Sequence, residues 1–89
     1  MEWKPTAAAW VQKNLEGLSL RDVARLLFEH VDAGGEVDQV KECRPEWNDH
    51  EYHYDLRLEI QGRRRFVESL LLDRDPTDPT VLIVSIHDA

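Results

Sequence analysis

Residues 51–60 read Glu-Tyr-His-Tyr-Asp-Leu-Arg-Leu-Glu-Ile, and they alternate without a break. In an extended chain Tyr52, Tyr54, Leu56, Leu58 and Ile60 point one way. Glu51, His53, Asp55, Arg57 and Glu59 point the other. One apolar face and one polar face mark a strand in an antiparallel sheet that is covered on one side.

The chain on either side follows from this strand. Gln61-Gly62-Arg63 reads as a tight turn, and Arg64 to Asp73 returns as a second strand. A three-residue loop sets Leu58 against Phe66, Tyr54 against Leu70, Tyr52 against Leu72 and Glu59 against Arg65. A two-residue loop sets Arg57 against Phe66 and Asp55 against Glu68. Like charges directly opposite cost energy, so the longer loop is expected. The even positions of both strands then meet whatever covers the sheet. Glu36 to Arg44 is a further strand, and its low apolar content suits a sheet edge. Pro45 to Asp49 reads as a loop. Asp73 to Thr80, with Pro76 and Pro79, cannot be a strand interior. Val81 to His87 is the last strand, apolar on both faces at its start and so suited to a central place.

Two helices precede the strands. The first is expected from Pro5 to Glu16: proline suits a first helical turn, and Ala7, Trp10, Val11, Asn14, Leu15 and Leu18 form a mostly apolar stripe. The second is expected from Leu20 to Asp32. Ser19 and Asp22 can form a capping box, and Leu18 with Val23 a hydrophobic staple. Gly34-Gly35 ends it. Helices grouped before strands give an α+β domain, ααββββ, with both helices on one face of a mainly antiparallel four-stranded sheet.

Eighty-nine residues fit a single domain. The lone cysteine, Cys43, allows no internal disulfide. With no secretory leader and no apolar run of membrane-spanning length, a cytoplasmic location is expected. The formal charge is −7. Between Glu29 and Asp55 nine acids stand against two bases; elsewhere nine acids balance nine bases. Such a field disfavours nucleic acid and membrane phosphates and favours basic partners.

Chemistry, if there is any, is expected on the polar face. His53, Arg57, Arg65 and His87 are the candidate catalytic groups: histidine as general base, arginine as anion clamp. His50 and His53 would point to opposite faces of a strand, so no metal ligand set is assigned. No glycine-rich phosphate loop, nucleophile elbow, zinc cysteine set or EF-hand is present, and no cofactor is expected. The order of helices followed by an antiparallel sheet is similar to that of the small bacterial ribonuclease toxins, the RelE-like and barnase-like proteins. The likeness is one of element order, and it implies a ribonuclease-like enzyme as the second of two readings. The first is a binding or regulatory module acting through protein contacts, as a homodimer or with a basic partner. Its candidate contacts are Trp47, Asp55, Arg57, Val67 and Leu71. Loop tryptophan is enriched at interfaces, and the odd positions Val67 and Leu71 would put apolar groups beside the polar strip.

Overall fold

The computed structural model describes residues 1–47, 49–73 and 80–89. Strand β1 (Glu2–Trp3) leads into helix α1 (Pro5–Asn14) and helix α2 (Leu20–Asp32). Four longer strands follow: β2 (Val37–Lys41), β3 (Tyr52–Ile60), β4 (Arg63–Asp73) and β5 (Thr80–Asp88). They form one sheet in the order β1-β5-β4-β3-β2. The α+β architecture is as the sequence implies, with a fifth strand added. That strand, β1, is only two residues long, too short for any periodicity to be read. It runs parallel to β5, pairing Glu2 with Leu82 and Trp3 with Ile83, and the Lys4 N–H extends the ladder to the Ile83 carbonyl at 3.0 Å. β2 is an edge strand and β5 is flanked on both sides, as their compositions imply.

α2 spans the expected residues because its start is chemically specified. Ser19 Oγ accepts from the Asp22 N–H at 3.1 Å, and Asp22 Oδ2 accepts from the Ser19 N–H at 2.9 Å. These two bonds satisfy two of the orphan donors of the first turn, and they hold the Asp22 carboxyl below its usual pKa. At the other end the His30 ring packs over Gly35, and any side chain there would displace it. A Cβ there would meet the His30 ring at about 2.4 Å, while His30 Nε2 lies 3.0 Å from the Glu36 carbonyl oxygen. α1 stops at Asn14, a half turn earlier than its apolar stripe implies, with the Leu15 N–H still bonded to the Val11 carbonyl.

Ala7, Val11 and Leu15 of the first helical segment and Val23 and Leu27 of α2 pack on Leu56, Leu58, Ile60, Val67, Ile83 and Ile86. Both helices therefore cover one sheet face. The even residues of β3 meet them, as the alternation predicts.

β4 corrects the expected register. Ile60 pairs with Arg63, Leu58 with Arg65, Leu56 with Val67 and Asp55 with Glu68. The loop is the two-residue one, Gln61-Gly62. Both of its residues have positive φ, 53° and 79°, the pattern of a turn whose twist matches that of the strands. Turn geometry thus outweighs the Asp55–Glu68 repulsion, which is relieved elsewhere. Because side chains alternate with period two, this one-residue slip exchanges the two faces of β4. Val67, Arg65 and Ser69 lie under the helices, and Phe66 and Glu68 lie on the opposite side. Gly62→Ala should cost about 1–2 kcal/mol, the penalty of a left-handed L-residue, since nothing else stands in the way of a Cβ there. Urea unfolding of the variant checks this; an unchanged midpoint contradicts it.

Candidate functional site

The face turned away from the helices is not an open polar surface. The connection between β2 and β3 crosses it: Arg44 pairs with Glu68 on β4, and Lys4 Nζ lies 5.0 Å from the centre of the Trp47 ring. Lys4 follows β1, so this connection links opposite edges of the sheet. Leu70, an even position of β4 and so on this side, is fully buried.

Beneath the connection lies a charged cluster. The side chain of Glu42 is 1% exposed. It accepts from the Arg44 backbone N–H at 3.0 Å and from Arg44 Nε and Nη2, both at 2.9 Å. These bonds from Arg44 draw the Glu42 pKa down to about 2, and the same pair, with Glu68, raises that of Arg44. His53 sits between two acids, with Nδ1 3.1 Å from Glu42 Oε2 and Nε2 3.6 Å from Asp55 Oδ1. Asp55 is 9% exposed, and its Oδ1 has no hydrogen-bond partner among the described residues. Burial pushes its pKa up, opposed by nearby His53 and reinforced by Glu68.

That environment has a testable sign. A raised carboxyl pKa means that the folded state holds the proton more tightly than the unfolded chain does. Stability contributed by Asp55 is therefore lost as pH rises through its folded pKa. Asp55→Asn should stabilise the fold at pH 7 by about 1 kcal/mol, because a neutral amide is less costly to bury. The gain should vanish below the ordinary carboxyl value of 3.8. Urea midpoints at the two pH values decide it; a destabilised variant at pH 7 contradicts it.

The remaining sequence candidates separate. Arg57 is ion-paired with Asp38 and lies 5.0 Å from the Phe66 ring centre; Phe66 in turn stacks on His87 at 4.9 Å. Arg65 is on the other face, buried, ion-paired with Asp88 and 5.3 Å from the Trp10 ring. The four candidate catalytic groups His53, Arg57, Arg65 and His87 are thus not brought together, because the register places Arg65 under the helices. The sheet-face contact expected through Val67 and Leu71 is likewise corrected. Val67 is 0% exposed in the core, and Leu71 is turned toward the helix side.

Leu71 instead helps to line a cleft of about 350 Å³ between the second half of α2 and the far end of the sheet. Its walls are Leu27, Phe28 and Val31 of α2, Val37 of β2, Tyr54 and Leu56 of β3, Leu71 of β4, and Val81 and Ile83 of β5, with Met1 alongside. Phe28 and Val31 remain 45% and 50% exposed, and Val37 is also open to solvent. Leu20, Val23, Ala24, Leu27 and Val31 recur at helical spacing along α2, and this stripe, ending at Val31, is the sequence signal for the cleft. Phe28 lies off that stripe and carries no such signal. Among the described residues no helix is long and apolar enough to cross a membrane. No protein-family model, curated protein or solved structure matches the chain, so its own geometry carries the functional argument.

Proposed function

We propose that this chain is a protein-binding module whose apolar cleft takes the hydrophobic side chains of a basic partner. The observation that carries the reading is the cleft itself. Three apolar side chains, Phe28, Val31 and Val37, stand half-exposed at its mouth, where full burial of such groups would be favourable by roughly 1.5–3 kcal/mol each. An anchor pocket ringed by polar groups is the usual centre of a protein interface.

The surrounding charge selects the partner. Glu29, Asp32 and Glu36 neighbour those three residues in sequence and are exposed, within the segment that holds the chain's whole negative excess. None of these acids lines the cleft itself, so their part is long-range: positive groups flanking an apolar anchor would be steered toward this acidic segment. A second copy of the chain would present the same acids to each other across a two-fold contact. The occupant proposed is therefore a different protein, one offering an amphipathic basic helix to the groove. The reducing cytoplasm inferred from the lone Cys43 is the proposed setting.

Calorimetry with a helical leucine–lysine peptide tests this. The comparison is a peptide of the same composition with its apolar stripe scrambled. Binding of the amphipathic peptide at least about tenfold tighter, weakening as salt is raised, is expected. Equal binding of the two peptides, or none, contradicts the reading. A dimer that dissociates when Phe28 is replaced would make a second copy the occupant and overturn the choice of a basic partner.

A further inference from the structure

The charged cluster under the β2–β3 connection is separate from the cleft, and its composition is unusual for a structural ion pair. Three carboxylates, Glu42, Asp55 and Glu68, converge on a single guanidinium, Arg44, and one imidazole, His53. Three carboxylates against one guanidinium leave an excess of negative charge in either form of the imidazole. Part-buried carboxylates in excess are costly unless a cation joins them.

Glu42, His53 and Glu68 each offer a donor atom, and these atoms all lie within 4.8 Å of one another. Ligand distances of about 2.0–2.2 Å put tetrahedral donors about 3.3–3.6 Å apart, within reach of small side-chain rotations. A second observation points the same way. Asp55 is nine-tenths buried, and its orphan Oδ1 is directed at His53 Nε2 from 3.6 Å. The ring therefore has a carboxylate oxygen at each nitrogen. With the ion on Nδ1, Nε2–H faces the unpartnered Asp55 Oδ1, and closing their 3.6 Å gap to a hydrogen bond would orient the ring as metal-bound histidines are oriented.

We infer that Glu42, His53 and Glu68, with Asp55 beside them, form a binding site for a first-row divalent cation such as Zn²⁺ or Mn²⁺. Mixed imidazole and carboxylate donors suit these ions better than Ca²⁺ or Mg²⁺, which prefer oxygen alone. The Arg44 guanidinium, which bridges Glu42 and Glu68 and is 35% exposed, is the competitor that the ion displaces. The ion would tie the connection that starts at Glu42 to strands β3 and β4.

Chelator-treated protein titrated with Zn²⁺, Mn²⁺ and Mg²⁺, followed by calorimetry and thermal melts, tests the site. Equimolar binding of Zn²⁺ or Mn²⁺, with a raised melting temperature and no response to Mg²⁺, is expected. His53→Gln and Glu68→Gln should each weaken binding at least about tenfold, with far-UV circular dichroism confirming that they fold. Arg44→Gln should tighten it, because it removes the competing cation. His50→Gln and His87→Gln should leave it unchanged. No binding below about 100 μM, loss confined to the His50 or His87 variants, or weaker binding in Arg44→Gln overturns the assignment.

Discussion

Replacing Phe28 and Val31 together with glutamine lowers affinity for the leucine–lysine peptide by about ten- to a hundredfold. The magnitude follows from what remains to be buried. Each side chain is already about half covered, so binding gains roughly half of its full transfer free energy, about 0.7–1.5 kcal/mol each. Two such losses give about 1.4–3 kcal/mol, and every 1.4 kcal/mol is a factor of ten. The substitutions add no charge, so any loss reports the apolar anchor and not the acidic segment. Because both side chains stand outside the fully buried core, the variant should still fold, with urea unfolding as the check. Affinity within twofold of the wild type would mean that charge alone holds the peptide and that the cleft is not the site.

Glu42→Ala lowers stability by about 2–3 kcal/mol at neutral pH, a drop in melting temperature of roughly 10–20 °C for a domain of this size. Glu42 accepts three hydrogen bonds from Arg44 and lies against His53 Nδ1. Its removal strands the Arg44 backbone N–H and one imidazole nitrogen. The upper end of the buried-pair range is not reached, because the Arg44 side chain is exposed enough to regain water. The pH dependence has a definite sign. The folded pKa of Glu42, about 2, lies below its ordinary value of 4.5. Its contribution is therefore fully present above about 4.5 and is lost as pH falls toward 2. Denaturation of wild type and variant across that range should converge at the acid end. A gap of the same size at both ends contradicts the assigned role of Glu42.

The two helices, their shared face and the polarity of β3 were legible because each rests on a local pattern. The capping box of Ser19 and Asp22 fixes the start of α2, and unbroken alternation fixes the faces of β3. The register of β4 was not legible from charge pairing. Asp55 opposite Glu68 looks forbidden until Arg44, more than twenty residues away in sequence, is seen reaching Glu68. A distant partner satisfied what a local rule counted as a cost. The same slip put Arg65 in the core, where Asp88 and the Trp10 ring accommodate it. β1 left no periodic trace. Of the site, His53 and Asp55 were picked out, but Glu42 and Glu68 were not, because only sheet pairing and the covering connection bring them together. The loop around Pro76 and Pro79 lies outside the described residues.

The most direct test of the binding proposal is a residue-resolved NMR titration of the protein with the leucine–lysine peptide. The cleft account predicts saturable shifts in the amides and methyls of Leu27, Phe28, Val31, Val37, Leu71 and Val81, with little change at Phe66 and His87 on the opposite face. Shifts centred on Phe66, Arg57 and His87, with the cleft unmoved, would contradict it.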